Sequence, residues 1–125
     1  MPIRVRTGVD IAEVARVRAA LTRRPGLLAR LFTEEEVASC GDGAGRWGRL
    51  AARFAAKEAV IKAAGGLHGG SWRDVAVIRR PGGEPEVRLG GALGAWIRAQ
   101  GWELALSLSH ERHWVVAQAV LYREH

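Results

Sequence analysis

The chain has 125 residues, of which 48% are hydrophobic and 26% charged, so we expect residues 1–125 to form one globular domain. The net charge of +6 favours an anionic partner. The single cysteine, Cys40, excludes an internal disulfide and a cysteine metal cluster. The sequence has no apolar run of signal-peptide or membrane-spanning length, so we expect a cytoplasmic protein with no membrane association.

The first quarter of the chain combines a strand pattern with a basic helix pattern. Apolar residues alternate from Ile3 to Ile11, which predicts a strand whose apolar face is buried. Asp10 lies on the other face, near the end of the strand. A helix is expected from about Glu13 to Thr22, and the first 32 residues carry seven arginines against two acidic residues. This skew indicates that the anionic partner binds on this side.

Helix-breaking and helix-capping residues divide the next part of the chain. Pro25-Gly26 ends the first helix, and a short apolar piece follows. The sequence Thr33 to Glu36 is a capping box, which predicts the start of another helix. The loop from Cys40 to Gly45 contains three glycines but lacks the spacing of a phosphate-binding loop. A long, alanine-rich helix is expected from about Arg46 to Ala64, ending at a glycine.

The long helix carries an unusual carboxylate. On a helical wheel, Leu50, Phe54 and Ile61 form an apolar stripe, and Glu58 falls at the edge of that stripe. Lys62 follows Glu58 at i+4, so the two could form an ordinary surface ion pair. A half-buried carboxylate would instead need a cation, a metal ion or several hydrogen-bond donors. The helix alone leaves both interpretations open.

The second half of the chain is mainly strands. Strands are expected over residues 72–80 and 85–89 around a Pro-Gly-Gly turn, then a helix over 92–100, and a hairpin of strands over 102–109 and 114–122. Together the elements predict an α+β fold in which an antiparallel sheet packs around the long central helix.

Three polar positions could carry chemistry: Asp10 after the first strand, Glu58 with Lys62 on the long helix, and His110 before the last hairpin turn. Each also has an ordinary structural explanation, because Asp10 could cap a helix and His110 could be satisfied by turn backbone.

Several motifs in the same order resemble one family. They are Gly8-Val9-Asp10-Ile11, Leu31-Phe32-Thr33-Glu34-Glu35-Glu36, the run from Arg53 to Ala63, Gly83-Glu84-Pro85, and Leu106-Ser107-Leu108-Ser109-His110-Glu111. Over nearly the whole chain, their order and spacing resemble the 4′-phosphopantetheinyl transferases of the holo-acyl-carrier-protein synthase type. The run RFAAKEAVIKA and the string SLSHE are the specific motifs, whereas GVDI alone would mean little.

The resemblance implies a fold, a reaction and partners. It implies the 4′-phosphopantetheinyl transferase-like fold and transfer of 4′-phosphopantetheine from coenzyme A to a serine of an apo acyl carrier protein. Adenosine 3′,5′-bisphosphate would be released, and Mg²⁺ would be the cofactor, as suits phosphoryl-transfer chemistry. It also implies a homotrimer with active sites between subunits.

The resemblance further implies roles for individual residues. Asp10 and Glu58 would hold the metal ion, and Glu58 and Lys62 would be catalytic, with the serine proton passing to Glu58 or to a water on the metal. The implied coenzyme A contacts are Arg53, Lys57, Lys62, His110 and Arg46. Arg16 and Arg23, on the basic first helix, would bind the acidic carrier protein. The capping box already explains Glu36.

Two other functions are compatible with parts of the sequence. The charge of +6 and the five tryptophans would suit a nucleic-acid-binding domain. However, the tryptophans are scattered and no RNP-like string occurs, so we expect no nucleic-acid partner. A non-catalytic carrier-binding protein of the same family is the second alternative, and the intact Asp10, Glu58, Lys62 and His110 argue against it.

Overall fold

The computed structural model describes residues 2–124, and its helices and strands confirm the predicted α+β fold. Among the helices of these residues, none combines the length and hydropathy that crossing a membrane requires. In chain order the elements are β1 (Ile3–Glu13), α1 (Val14–Arg23), α2 (Leu27–Leu31), α3 (Glu34–Cys40), α4 (Arg46–Ala64), β2 (Val75–Arg79), β3 (Pro85–Leu89), α5 (Gly91–Ala99), β4 (Glu103–His110) and β5 (Trp114–Glu124).

Local signals set most of these boundaries. The Thr33–Glu36 capping box is formed in both directions, as predicted, and starts α3. Helix α4 ends at Gly65, whose φ of 82° is a left-handed conformation that glycine adopts without strain. Strand β2 begins three residues later than predicted, because residues 72–74 form a 3₁₀ turn closed by a second capping box between Ser71 and Asp74.

The strands form two antiparallel sheets. The three-stranded sheet has the order β1-β5-β4, and β2 pairs with β3 in a separate hairpin. Ala117 of β5 is paired with Asp10 of β1 on one side and with Leu108 of β4 on the other. Asp10 and the end of β4 therefore lie at a similar height but on opposite edges of the sheet.

Helix α4 packs on one face of the three-stranded sheet through small residues. Ala55, Ala59 and Ala63 are completely or almost completely buried against it. Gly8 of β1 allows this approach, because a Cβ there would collide with the backbone of Ala59 and Ala63. Phe54 and Ile61, expected to form the buried stripe, are only partly buried. Leu50, the third member of that stripe, is completely buried. The alanine face, and not Phe54 and Ile61, is thus the part of α4 that lies deepest against the sheet.

The opposite face of the sheet corrects the prediction for β1. Its large apolar side chains were expected to be buried, but Ile3, Val5, Val9 and Ile11 are 56–65% exposed. The register places them on one face with the exposed side chains of β5: Trp114, Val116 and Tyr122. We call these seven residues the open face. Contiguous apolar surface of this kind is typical of an interface.

Candidate active site

Strand β1 and helix α4 bring Asp10, Glu58 and Lys62 together. Asp10 has the same strand parity as Gly8, so its side chain lies on the side of the sheet that α4 covers. Lys62 Nζ donates to Asp10 Oδ1 at 3.1 Å and to the Val9 carbonyl oxygen at 3.2 Å. Lys62 therefore forms its ion pair across the strand–helix boundary and not along the helix with Glu58. We call this group the acidic site.

Electrostatics distinguish Glu58 from a surface glutamate. Partial burial raises the pKa of its carboxyl, the charge of Asp10 raises it further, and Lys62 lowers it. Two carboxylates that share a half-buried position repel each other, and a cation between them would relieve that repulsion. This is the second of the two alternatives that the helix sequence left open.

The acidic site has the donors that a magnesium ion prefers. Asp10 and Glu58 supply carboxylate oxygens, and Mg²⁺ in phosphoryl-transfer sites is held by one or two carboxylates with the substrate's phosphates and water. Across residues 2–124, no group of three or more histidine, cysteine or acidic side chains is placed to bind a metal. The donor set therefore fits a hard cation that shares its coordination with a substrate, and it does not fit a closed structural site.

A groove of about 870 Å³ extends from Asp10 between α1, α2 and the 3₁₀ turn. Its walls are apolar, with Leu21, Leu27, Phe54 and Trp72 among them. Its lining also includes four arginines: Arg16, Arg24, Arg30 and Arg73. Of the two predicted carrier-binding residues, Arg16 thus lines the groove. Arg23 lies outside it, on the exposed side of α1 near Arg18.

His110 lies in a second, basic pocket at the β4 edge. This pocket of about 250 Å³ is lined by His110 with Arg49, Arg53 and Arg79, and by Gly83 and Pro85 from the β2–β3 turn. We call it the basic pocket. Sequence motifs pointed to His110, Arg53 and the Gly-Glu-Pro motif but not to Arg49 and Arg79. Arg49 could have been found one helical turn before Arg53, whereas nothing in the sequence distinguished Arg79 from its neighbour Arg80.

The remaining predicted coenzyme A contacts are placed differently. Arg53 is only 6% exposed, and its Nε donates to the Val77 carbonyl oxygen at 2.9 Å, so it mainly anchors β2. Arg46, at the start of α4, donates to the Gly41 carbonyl oxygen at 2.7 Å and is not part of the basic pocket lining.

Lys57, which the resemblance implied as a coenzyme A contact, makes its contacts within the chain. Its ammonium is completely buried, and burial lowers its pKa while Glu36 counteracts this effect. Lys57 donates to Glu36 Oε1 at 2.8 Å and to the carbonyl oxygens of Trp72 and Val75. With its donors used in this way, Lys57 holds α4 to α3 and β2.

Glu36 does more than the capping that the sequence indicated. Its Oε1 accepts from the Thr33 backbone and from Lys57, and its Oε2 accepts from the Val77 backbone at 2.9 Å. One buried carboxylate thus joins α3, α4 and β2. No signal in the sequence connected Glu36 with Lys57, because the two residues are 21 positions apart.

The acidic site and the basic pocket are separated within one chain. Asp10 belongs to β1 and His110 to β4, and β5 runs between these strands. Glu58 and Lys62 lie in the second half of α4, whereas Arg49 and Arg53 lie in the first half. The two groups therefore flank α4 on opposite sides.

Comparisons with known proteins agree on one family. A model of the 4′-phosphopantetheinyl transferase superfamily matches residues 6–119. The chain is 47% identical to a holo-[acyl-carrier-protein] synthase of Beutenbergia cavernae, over 95% of this chain and 98% of that one. Among solved structures, the Neisseria meningitidis synthase is 32% identical with a TM-score of 0.81, covering 93% of this chain and 96% of that one. A Bacillus anthracis synthase in complex with coenzyme A is 30% identical with a TM-score of 0.78, covering 98% and 100%.

Proposed function

This chain belongs to the 4′-phosphopantetheinyl transferase superfamily, and we propose that it is a holo-[acyl-carrier-protein] synthase. It transfers 4′-phosphopantetheine from coenzyme A to a serine hydroxyl of an apo acyl carrier protein, and the whole chain acts as one transferase domain. The observation that carries this function is the acidic site, in which Asp10, Glu58 and Lys62 meet beside a groove with an arginine-rich lining. A cytoplasmic location is part of the proposal, because the enzyme must share a compartment with coenzyme A.

The acidic site positions and neutralises the reacting groups. Asp10 and Glu58 would hold Mg²⁺, which when bound supplies positive charge next to the pyrophosphate of coenzyme A. Lys62, whose side chain is 50% exposed, can turn its ammonium towards the same phosphates. Catalysis of phosphoryl transfer depends mainly on such positioning and charge stabilisation.

The bond changes follow from the substrate. The serine Oγ of the carrier forms a bond to the phosphorus that bears pantetheine, and the bond from this phosphorus to the leaving adenosine 3′,5′-bisphosphate breaks. The serine proton passes to Glu58. A positioned glutamate can act as a general base of this kind.

The basic pocket is the proposed binding site for the adenylate end of coenzyme A. Arg49, Arg79 and His110 line it together with Arg53. Guanidinium groups form strong, charge-assisted hydrogen bonds to phosphates. Among the coenzyme A contacts implied by the resemblance, the proposal keeps Lys62, Arg53 and His110, omits Lys57 and Arg46, and adds Arg49 and Arg79.

The groove beside Asp10 is the proposed docking surface for the carrier protein. Its arginines complement an acidic partner, and its apolar walls can bury side chains of that partner. Since the groove reaches Asp10, a carrier lying in it would place its serine next to the acidic site. Arg16 takes part from within the groove, and Arg23 would contact the carrier only beyond the edge of α1.

We also propose that the chain forms a homotrimer. The open face would otherwise leave seven large apolar side chains in water. The separation of the acidic site from the basic pocket also favours a trimer, because a single coenzyme A must contact both. An arrangement in which the basic pocket of one subunit faces the acidic site of its neighbour would satisfy both requirements.

An intact-mass assay tests the function. The protein is incubated with an apo acyl carrier protein, coenzyme A and Mg²⁺, with and without a chelator. We expect the carrier to gain the mass of one phosphopantetheine only when the metal is present. Binding of coenzyme A without any mass gain, across several unrelated apo carriers, would instead indicate the non-catalytic carrier-binding alternative.

A further inference from the structure

The contact between Lys62 and Asp10 conflicts with the roles proposed for both residues. Lys62 Nζ is 3.1 Å from Asp10 Oδ1 and 3.2 Å from the Val9 carbonyl oxygen. The Asp10 side chain is 14% exposed, whereas the Lys62 side chain is 50% exposed. Lys62 thus reaches in from solvent and places its positive charge on a carboxylate that the reaction needs for a metal ion.

Both cations cannot use Asp10 fully at the same time. A metal ion between Asp10 and Glu58 would lie close to the Lys62 ammonium, and the repulsion between two cations at contact distance is large. Lysine has a flexible stem and a compact charge, so the ammonium can leave Asp10 by rotation of its own side chain. A phosphate group nearby would give it a new partner.

We infer that Lys62 competes with the metal ion for Asp10 until the pyrophosphate of coenzyme A draws the ammonium away. Lys62 would then have a positioning role besides its proposed contact with phosphate, because it makes metal binding and coenzyme A binding favour each other. Such coupling is reciprocal: if coenzyme A tightens metal binding, the metal tightens coenzyme A binding by the same factor. The inference rests on the proposed function of the acidic site.

The chain offers a matched control for nonspecific charge effects. Arg16 is a cation that lines the groove together with Asp10, but the ion pair of Asp10 is with Lys62. Removing Arg16 removes one positive charge near the site without removing a direct competitor. Distant charges are screened by salt over about 8 Å at physiological ionic strength, whereas a contact pair is screened much less.

The test measures binding of Mn²⁺, a cation with the same oxygen-ligand preference as Mg²⁺. The free ion is measured by its electron paramagnetic resonance signal. Wild type, Lys62→Met, Lys62→Arg and Arg16→Met are compared in 0.15 M salt without coenzyme A or carrier. We expect Lys62→Met to bind Mn²⁺ about two- to fivefold more tightly than wild type, the scale of a partly exposed ion pair. Lys62→Arg should stay close to wild type, and Arg16→Met should change the affinity less than Lys62→Met. Adding coenzyme A should then tighten Mn²⁺ binding more in wild type than in Lys62→Met.

The inference is overturned if Lys62→Met binds Mn²⁺ no more tightly than wild type, including the case in which neither protein binds it detectably. It is also overturned if Arg16→Met gains as much affinity as Lys62→Met, since general electrostatics would then explain both. The intact-mass assay on wild type separates this failure from a failure of the proposed function. A wild-type protein that loads the carrier while Lys62→Met shows no tighter Mn²⁺ binding would leave the function intact and remove only the role of Lys62.

Discussion

The two flanks of helix α4 differ in charge and in construction. On the β1 side, two carboxylates and one lysine meet at the end of a groove. On the β4 side, three arginines and a histidine surround a smaller pocket. The first suits a metal ion and a serine nucleophile, and the second suits the phosphates of a nucleotide. Under the proposed function, one chain carries two complementary halves of a transferase site, and the separation between them is the reason that the open face would matter for function.

Removing a carboxylate from the acidic site should have the largest effect on the transfer rate. We expect Asp10→Asn or Glu58→Gln to lower the transfer rate roughly 100- to 1,000-fold, because each removes a carboxylate that would hold Mg²⁺, whose positive charge stabilises the reacting pyrophosphate. Transfer is measured as the mass gain of the carrier over time. Melting temperatures serve as the control, and activity loss that merely parallels unfolding would refute the catalytic assignment.

A charge on the open face should separate the subunits, so that the basic pocket of one subunit no longer faces the acidic site of its neighbour. Val9 is 59% exposed in the single chain, so we expect Val9→Glu to fold but to be monomeric, because an unpaired charge is costly to bury in an interface. Light scattering measures the mass in solution. Ala95→Glu, on the exposed surface of α5, is the control for an added charge. A wild type that is itself monomeric would contradict the proposed trimer.

Substitutions in the basic pocket should weaken the binding of coenzyme A more than they slow the chemical step. We expect Arg79→Gln to raise KM for coenzyme A about tenfold with little change in kcat, since a charge-assisted contact to phosphate is lost. Arg80→Gln is the matched control, because the neighbouring Arg80 pairs with Glu86 and does not line the basic pocket. Equal effects of the two substitutions would show that the pocket does not bind the substrate.

The smallest effect concerns stability and pH. The pKa of Glu58 is raised in the folded chain, so its contribution to stability is greatest below its unfolded pKa and is lost as pH rises through the folded pKa. Without metal, Glu58→Gln should therefore be slightly more stable than wild type at pH 7, by about 0.5 kcal/mol. Urea unfolding at several pH values checks this. Added Mg²⁺ should raise the free energy of unfolding of wild type and not that of the variant. Stabilisation of the variant but not of wild type would argue against metal binding at the acidic site.

The sequence predicted the elements well, because their signals are local. The capping box at Thr33, the glycine after α4 and the alternation of β4 all gave the correct element types. The prediction for β1 was wrong for a physical reason. Alternation shows that one face is apolar, but it cannot show whether the chain's own helix or another chain covers that face. Gly8 and the alanines of α4 contribute little hydropathy, yet they allow the helix backbone to pack directly against β1.

The candidate site was predictable where a residue's position on its element limits what it can contact. Glu58 at the edge of an apolar stripe, with Lys62 one turn later, raised two interpretations: a surface ion pair, or a half-buried carboxylate in need of a cation. Lys57, one position before Glu58, could not be separated from it by the same argument. Its partner Glu36 and the carbonyl oxygens that it binds are brought together only by the tertiary fold. Arg79 was missed for the same reason.

The most direct test of a site shared between subunits mixes two impaired variants, assayed at a coenzyme A concentration well below the KM of the variant that lacks the basic pocket. Asp10→Asn impairs the acidic site, and the double variant Arg79→Gln/His110→Ala impairs the basic pocket. Co-expressed in equal amounts and purified through different tags, they should form mixed trimers. If each site joins the acidic site of one subunit to the basic pocket of the next, every mixed trimer contains one intact site in three, so about one third of the sites are restored. Transfer near that level is the predicted result. A mixture no more active than the average of the two variants would contradict a shared site.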